Sequence, residues 1–404
     1  MSYSRNAFLG SCIGIGLLAG CSSAPQPENI AEVETGGAYQ AQYRMPPKGR
    51  DAESNLVAEQ MNAQKCRRGG KVTEPSSFVA PAVLRGERLS RNDLVDVRVA
   101  DDDTFNGDYV ISRDGALKLP FLSPIPAQGR SPDAVEADIA AALVREGFYD
   151  EPPRISVRLA DFAGVSIAVS GAVFEAQAAR IGGQRGEDID TARQAALGAS
   201  TEARNLSVAL RSAGGVRPDA DLSSVELTRA GHKHILDLRG VFAGRDAMDV
   251  MLLAGDEITV PSRACFQDEM MRPGPISPPG VTLFLSNLTK PAAGNAVSAV
   301  GRSVREVPYG TRFMQAVIDT NCVGGARATS AHRSAVLMTR DPISGISTVI
   351  ERNIEDMLRR ADRDDYDPYV LPGDAIACYD SSITNLAEVV GVLGAIAAVG
   401  SLSP

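Results

Sequence analysis

The sequence predicts a modular α+β protein, built from several domains of short strands and a few helices. The chain has 404 residues, and a single hydrophobic core rarely grows to that length. Its 38 glycines and 24 prolines interrupt the apolar runs, which favours many turns and short elements. A strand–helix–strand pattern that begins at residue 164 recurs from residue 280, and such self-similarity indicates a duplicated module.

Composition excludes several classes of function. The net charge is −9, and an acidic chain lacks the positive field that attracts nucleic acid, so no nucleic acid partner is expected. The chain has three histidines, which leaves little material for imidazole chemistry or metal ligation. Neither the Gly-x-Ser-x-Gly nucleophile motif nor the phosphate-binding Gly-x-x-x-x-Gly-Lys motif occurs. We therefore assign no catalytic residue, no metal site and no cofactor.

Three polar clusters have a plainer interpretation than ligand binding. The acidic stretch 101–108 lacks the carboxylate spacing of an EF-hand loop, which indicates a solvated turn. Residues 362–367 interleave aspartates with an arginine, as exposed charge runs do. His232 and His234 share one face of a predicted strand, but no third ligand is near them in the sequence.

The first residues predict an exported lipoprotein. Residues 1–20 contain one arginine and a mostly apolar run too short to span a bilayer, as in a secretory signal peptide. The run ends in Leu18, Ala19, Gly20 and Cys21, which resembles the bacterial lipobox. Cys21 would then carry the lipid, typically palmitate, as the first mature residue. No aspartate follows it, which is similar to lipoproteins sorted to the outer membrane; the alternative is an ordinary signal peptide with a chance cysteine.

Four further cysteines lie downstream: Cys66, Cys265, Cys322 and Cys378. An even set in an oxidising compartment permits disulfides, and four cysteines allow three pairings. Free buried thiols are the main alternative. Metal ligation is disfavoured because no pair has the close spacing of a zinc site.

Polarity and turn density divide the rest of the chain. Residues 21–80 are polar and rich in turn formers, and we expect them to form a lipidated N-terminal tether. A first folded module is expected over 81–163. It contains one well-defined helix, which begins after the N-cap Ser131 with Pro132 in its first turn and ends near Gly147.

The repeated module occupies 164–262 and 280–380. GVSIAVSGAV opens the first copy and GVTLFLSNLT opens the second. A helix-like stretch follows in each and ends at paired glycines, and each copy closes on a Gly-Asp strand. We interpret the charged stretch 176–204 as an insertion in the first copy, and the Pro/Gly-rich stretch 263–279 as a semi-rigid linker between the copies.

The tail over 381–404 predicts a membrane helix. It contains a single charged residue and is long enough, at roughly 1.5 Å per residue, to cross the hydrocarbon core of a membrane. Its small and polar residues recur at steps of three and four and form one stripe: Ser381, Thr384, Glu388, Gly391, Ala395 and Ala398. Such a stripe favours assembly with copies of the same helix, because a lone carboxylate in lipid is costly unless it faces water or a partner. The alternative is a buried C-terminal helix docked on its own domain.

The order of these motifs resembles the Wza-type polysaccharide export outer-membrane lipoproteins over residues 81–404. The shared motifs of the first module are Asn92-Asp93-Leu94, the Tyr109–Gly115 hairpin, Lys118-Leu119-Pro120, the helix from Ser131, Pro153–Val157 and Ser170–Val173. The two copies are similar to soluble ligand-binding β-grasp (SLBB) modules, with Ala213-Gly214-Gly215, Gly255-Asp256 and Gly373-Asp374. Asn92 stands where the family usually has glycine, and Cys322–Gly325 replaces a clean Ala-Gly-Gly.

This resemblance implies a homo-oligomeric ring, often of eight chains, closed at the outer membrane by an α-helical barrel of the tail helices. Such a ring would export capsular polysaccharide or exopolysaccharide from the periplasm through a porin-like pore, as a conduit and not an enzyme. The implied partners are the polysaccharide chain, an inner-membrane polysaccharide co-polymerase and outer-membrane lipids.

Two other classes of function stay open. The first is a periplasmic carbohydrate-binding or scaffold lipoprotein that does not span the membrane, although the low aromatic content of 5% disfavours sugar-stacking platforms. The second is a polysaccharide-processing enzyme, which needs only a pair of carboxylates.

Overall fold

The described part of the chain has mixed α and β structure, as predicted, and the chain divides into two compact units. The computed structural model describes residues 38–44, 58–69, 80–182, 203–245, 249–287, 304–319, 323, 334–359 and 363–379. One unit comprises residues 66–279, and the other combines 1–65 with 280–404. The division at 279/280 coincides with the predicted start of the second copy of the repeat.

The described strands are short, and most belong to three sheets. They are β1 (Leu94–Val99), β2 (Gly107–Val110), β3 (Ala116–Leu117), β4 (Ile125–Pro126), β5 (Ile155–Asp161), β6 (Val165–Gly171), β7 (Gln177–Ile181), β8 (Val225–Arg229), β9 (His232–Leu236), β10 (Glu257–Val260), β11 (Val281–Asn287), β12 (Val304–Val307), β13 (Ser334–Arg340), β14 (Ser347–Asn353) and β15 (Ala375–Tyr379). The described α-helices are α1 (Ala58–Gly69), α2 (Pro132–Arg145), α3 (Leu206–Ser212), α4 (Phe313–Asp319), α5 (Ile354–Arg359) and α6 (Arg363–Tyr366).

The first module is an antiparallel sheet in the order β2-β1-β5, with helix α2 packed on strand β5. Val95 and Val97 of the sheet and Ile139 and Leu143 of the helix are fully buried in one hydrophobic core. Burying apolar side chains of this size contributes about 1.5–3 kcal/mol each. The core thereby holds the sheet and its single long helix together.

Helix α2 begins as the sequence predicts. The Ser131 hydroxyl accepts a hydrogen bond from the Ala134 amide at 3.3 Å, and Pro132 is the first helical residue. Arg145 is the last helical residue, and Gly147 follows in the left-handed region at φ 82°. The predicted helix and both of its ends are confirmed.

The first copy of the repeat is a five-stranded sheet in the order β7-β6-β10-β8-β9. Strands β6 and β10 run parallel, and the other neighbours are antiparallel. Helix α3 buries Leu206 and Leu210 in a core shared with Val169 and Val260 of the sheet. The apolar positions of the predicted strand pattern therefore face this helix.

The second copy has the same strand order, β12-β11-β15-β13-β14. Its parallel pair, β11 with β15, corresponds to β6 with β10. Helix α4 takes the place of α3 and buries Phe313, Met314 and Val317. The internal repeat of the sequence thus corresponds to two sheets of one topology.

The expected tether over 21–80 is wrong for two of its segments. Residues 39–43 are buried and include a 3-10 helix at Ala41–Tyr43, and α1 is a regular helix of 12 residues. The Asn62 side chain accepts from the Ala41 amide at 3.1 Å, while Gln40 donates to the Tyr369 carbonyl at 2.9 Å. These partners are far away in sequence, so local polarity could not reveal the packing.

The expected insertion over 176–204 also begins too early. Strand β7 pairs with β6 over five positions, from Val165↔Ile181 to Val169↔Gln177, and β12 takes the same place in the second copy. Its polarity reflects its position at the sheet edge, where Ile181 alone among its five residues is buried. Residues 183–202 lie outside the described residues.

The stretch 263–279 is packed against the first copy and is not an open linker. Phe266, Met270 and Ile276 are buried, and the Ile276 carbonyl accepts from the Val216 amide at 2.9 Å. Despite its many prolines and glycines, the segment is therefore held on the first copy by buried side chains and a backbone hydrogen bond.

Within the described part of the chain, no helix has the length and hydropathy needed to cross a membrane. The predicted membrane helix at 381–404 lies outside the described residues.

Candidate functional site

Three turns of one design open the central strands of the three sheets. Asn92, Gly255 and Gly373 lie in the left-handed region, at φ 70°, 89° and 88°. Each precedes a buried aspartate, which is followed directly by β1, β10 or β15. Asparagine tolerates this backbone region better than most residues, which explains how Asn92 can replace the usual glycine.

The aspartate of each turn accepts a hydrogen bond from the backbone amide three residues earlier. The distances are 2.7 Å from Ser90 to Asp93, 2.9 Å from Leu253 to Asp256 and 2.8 Å from Leu371 to Asp374. A carboxylate that closes its own turn in this way fixes the direction of the following strand. The Gly-Asp pairs noted in the sequence are therefore structural elements of the three sheets.

Asp93 joins the first module to the first copy through a buried ion pair. The Arg204 guanidinium donates to the Asp93 carboxylate at 2.8 Å, and neither side chain is exposed. Arg204 also donates to the Leu252 carbonyl at 3.2 Å and lies over the Phe162 ring at 5.2 Å. Burial raises the pKa of Asp93, while the charge and hydrogen bond of Arg204 act in the opposite direction.

The two repeats treat their aspartates differently. In the first copy, Arg229 pairs with Asp256 at 2.6 Å. Thr228 lies opposite Glu257, just as Met338 lies opposite Ala375, so Thr339 holds the position equivalent to Arg229.

Asp374 therefore lacks the arginine of the first copy. Its carboxylate is hydrogen-bonded to Thr339, whose hydroxyl lies 3.3 Å from the Tyr43 hydroxyl. Burial raises the pKa of Asp374 to about 7. This carboxyl changes its charge near neutral pH.

A basic cleft lies beside the turn of Asn92, where the first module meets the first copy. Its volume is about 400 Å³, and its lining residues are Arg91, Asn92, Arg113, Gly164, Ser166, Arg180 and Ala254. We call it the arginine cleft. Its guanidinium groups come from three places in the fold: the turn before β1, the connection between β2 and β3, and the edge strand β7.

The walls of the arginine cleft are held by the backbone. Ser166 and Arg180 are paired across β6 and β7. The Ala254 amide donates to the Ser90 hydroxyl at 3.0 Å, and the Gly255 amide donates to the Ser166 carbonyl at 3.0 Å. The cleft is thus built by turns and paired strands that the core already orders.

The three arginines of the cleft have no charged partner among the described residues. Within the described residues, the guanidinium groups of Arg91, Arg113 and Arg180 form no ion pair and no hydrogen bond. Arg113 and Arg180 are exposed, and Arg91 is partly buried. Guanidinium groups bind carboxylates and phosphates with paired hydrogen bonds, so the arrangement suits an oxyanion.

Most of the site residues predicted from the sequence fall in segments that the structure does not describe. Cys21 and its lipobox residues Leu18, Ala19 and Gly20 lie outside the described residues, as does the whole stripe from Ser381 to Ala398. Among the described residues, no group of His, Cys, Asp and Glu side chains is arranged to hold a metal ion.

The structure gives a more specific account of the cysteines. Cys66 and Cys265 form a disulfide with their Cα atoms 5.1 Å apart. Cys378 is also disulfide-bonded, and Cys322 lies outside the described residues. The bond between Cys66 and Cys265 ties helix α1 to the segment that follows the first copy.

Sequence reasoning missed the arginine cleft. Two signals were present: Arg91 precedes the Asn92-Asp93 turn, and Arg113 lies within the Tyr109–Gly115 hairpin. Arg180 was hidden because its strand was interpreted as part of an insertion.

Comparison with known proteins gives two matches. Residues 82–160 match the family model described as polysaccharide biosynthesis/export protein. The chain is also 28% identical over 205 residues to the EPS I polysaccharide export outer membrane protein EpsA of Ralstonia solanacearum, an alignment that covers 49% of this chain and 48% of that protein. The chain thus spans about half the length of this curated relative.

Proposed function

We propose that this chain is the outer-membrane component of a polysaccharide exporter, because residues 82–160 match the model of the polysaccharide biosynthesis/export protein family, a family of export proteins and not of enzymes. In this role it carries capsular polysaccharide or exopolysaccharide from the periplasm to the cell surface. The observation that supports the proposal most strongly is the match over the first module, whose core and helix α2 are complete in the structure. The relative named as an outer membrane export protein supports the same location.

Two membrane signals support an anchored translocon over a periplasmic scaffold. A lipid on Cys21 would attach the chain to one leaflet of the membrane, so a pore needs a further segment that crosses the bilayer. The apolar stretch 381–404 would supply it. Its stripe of small and polar residues favours a bundle of identical helices, in which Glu388 faces water or a neighbouring copy.

The proposed mechanism is passive conduction through a closed ring of identical chains. A ring with cyclic symmetry gives every copy the same lumenal face and leaves no open end. A hydrated glycan passes such a pore when contacts along it are weak and numerous. The energy comes from synthesis at the inner membrane, where the resemblance implies a co-polymerase partner.

The test compares three forms of the chain in cells of its source organism from which the chromosomal copy is deleted. We expect full-length protein to restore surface polysaccharide, and chains lacking 381–404 or carrying Cys21→Ser to fail. Circular dichroism and disulfide mapping of the truncated protein establish that its periplasmic body is still folded. Normal surface polysaccharide in cells with no copy of the chain would contradict the export function. Normal export with the truncated chain would contradict the membrane-helix pore.

A further inference from the structure

We propose that the arginine cleft binds an acidic sugar of the exported glycan, through a carboxylate or phosphate carried on the sugar ring. This inference rests on the proposed function, because it assigns the charge of the polymer that the chain carries. It adds a defined binding site to a protein whose proposed role, passive conduction of a glycan, does not itself require one.

The first argument is that no described residue neutralises the positive charge of the cleft. Nearby carboxylates have other cations: Asp93 pairs with Arg204, Asp256 with Arg229 and Asp114 with Lys118 at 2.9 Å. In the described residues, none of the three cleft arginines forms an ion pair. Unpaired guanidinium groups that converge on one cavity favour a bound anion.

The second argument is that Gly164 leaves room for the Arg180 guanidinium. A Cβ atom at Gly164 would stand 3.1 Å from the Nε atom of Arg180, which is closer than most Cβ contacts. A side chain at Gly164 would therefore compete for the space of the Arg180 guanidinium. The cavity of about 400 Å³ is in the size range of small-ligand sites.

The third argument concerns the uncharged groups. Asn92 and Ser166 are exposed in the lining and offer an amide and a hydroxyl, the usual partners of sugar hydroxyl groups. None of the described lining residues is aromatic, so recognition by them depends on charge and hydrogen bonds and not on stacking against a ring. A neutral glycan would gain little from such a site.

The fourth argument is that a local positive site stands out on a chain whose net charge is negative. The protein carries a net charge of −9, which repels a polyanion at long range. An acidic glycan therefore needs local positive sites to approach the surface. Exposed arginines give weak and reversible binding at moderate ionic strength, which is compatible with a polymer that must move on.

The binding test uses full-length detergent-solubilised protein and isothermal titration calorimetry at low salt. The probes are tetragalacturonate for a sugar carboxylate, glucose 6-phosphate for a sugar phosphate, maltotetraose as the neutral oligosaccharide and inorganic phosphate as the free ion. The cleft variant is Arg113→Gln with Arg180→Gln. The matched control is Arg158→Gln, because Arg158 is exposed on β5 and lies outside the cleft lining.

We expect at least one acidic sugar to bind and maltotetraose not to bind. The cleft variant should weaken that binding at least about tenfold, since two charge-assisted contacts are removed. The control should bind as the unmodified protein does, and added salt should weaken binding. Equal binding of maltotetraose, inorganic phosphate binding as tight as that of either sugar, no binding of either acidic sugar, or equal binding by the cleft variant would each overturn the proposal.

A cellular measurement separates failure of this inference from failure of the export function. Cells without the chain are supplied with the unmodified protein or with the cleft variant, and their surface polysaccharide is quantified. Normal surface polysaccharide without any copy contradicts export and leaves the calorimetry to decide on the cleft. If export requires the chain but the cleft variant binds acidic sugars normally, the inference about the cleft is wrong and the export function stands.

Discussion

The buried pair of Arg204 and Asp93 controls the junction between the first module and the first copy. Removing one partner of a fully buried ion pair leaves the other charge without compensation, which costs about 3–5 kcal/mol. We therefore expect Arg204→Met to lower the free energy of unfolding by that amount, measured by urea denaturation. Arg158→Met, on an exposed strand position, should change it by less than about 0.5 kcal/mol. An unchanged urea midpoint for Arg204→Met would show that the pair is not a stabilising contact.

Asp374 makes the stability of the second copy depend on pH. Its pKa is raised from 3.8 to about 7 by burial, so the folded state binds a proton more tightly than the unfolded state. The contribution of Asp374 to the unfolding free energy is therefore largest below pH 4, falls by up to about 1.4 kcal/mol per pH unit between pH 4 and 7, and is lost above that range.

Asp374→Asn tests this pH dependence, because its amide does not titrate in this range. Relative to the unmodified protein, this variant should gain stability steadily as the pH rises from 4 to 7. Urea unfolding at four pH values measures the difference. A constant difference across that range would mean that the carboxyl of Asp374 does not titrate as described.

At the residue scale, the sequence reveals positions but not partners. The Gly-Asp pairs were identified from the sequence, and the left-handed backbone at Gly255 and Gly373 agrees with their glycines. Arg229 neutralises Asp256, whereas Thr339 faces Asp374. This difference depends on the strand register, which a single sequence does not specify.

Arg352 holds the N-terminal segment 38–44 on the second copy. One nitrogen of its guanidinium donates to the carbonyls of Gln42, Tyr43 and Arg44 at 3.0, 3.3 and 2.8 Å. The Nε atom of Arg352 also donates to the Tyr366 carbonyl. A lysine has a single ammonium group in place of the planar guanidinium, so it cannot make all of these contacts at once. We expect Arg352→Lys to speed amide hydrogen exchange in 38–44 by about ten- to a hundredfold, since lost buried hydrogen bonds cost about 1–3 kcal/mol.

Hydrogen exchange read by mass spectrometry tests this clamp. Arg340→Lys is the matched control, because Arg340 donates to the Gly345 carbonyl in an exposed hairpin. Exchange in 38–44 should be unaltered in that control. If the segment 38–44 exchanges as slowly in the Arg352→Lys variant as in the unmodified protein, the three carbonyl contacts do not hold the segment on the second copy.

At the element scale, elements specified by interactions within a few residues were predicted correctly, and elements held by residues distant in sequence were not. Helix α2 was predicted with its N-cap because its signals lie within one turn. Strand β7 and the segment 38–44 were missed, because an edge strand needs little apolar sequence and two groups that hold the segment, the Tyr369 carbonyl and Arg352, lie more than 300 residues away.

At the scale of the whole molecule, the repeat was the most informative signal in the sequence. It predicts two copies of one strand–helix–strand module, and the strand orders of the two five-stranded sheets agree. The arginine cleft was invisible at this scale, because a net charge of −9 conceals a local cluster of three cations drawn from distant parts of the chain.

The proposed ring makes a quantitative prediction about mass. A closed cyclic assembly has one copy number, whereas nonspecific association of lipidated chains gives a broad distribution. Native mass spectrometry of the detergent-extracted protein should therefore show a single multiple of the 42.5 kDa chain mass, reduced by the signal peptide and increased by the lipid, with a copy number near eight. Removal of 381–404 should lower the copy number or release monomers, if helix packing through the stripe contributes to closure. A monomer in both forms would contradict the ring and favour a periplasmic scaffold, in which the arginine cleft would act as a glycan-binding site on a single chain.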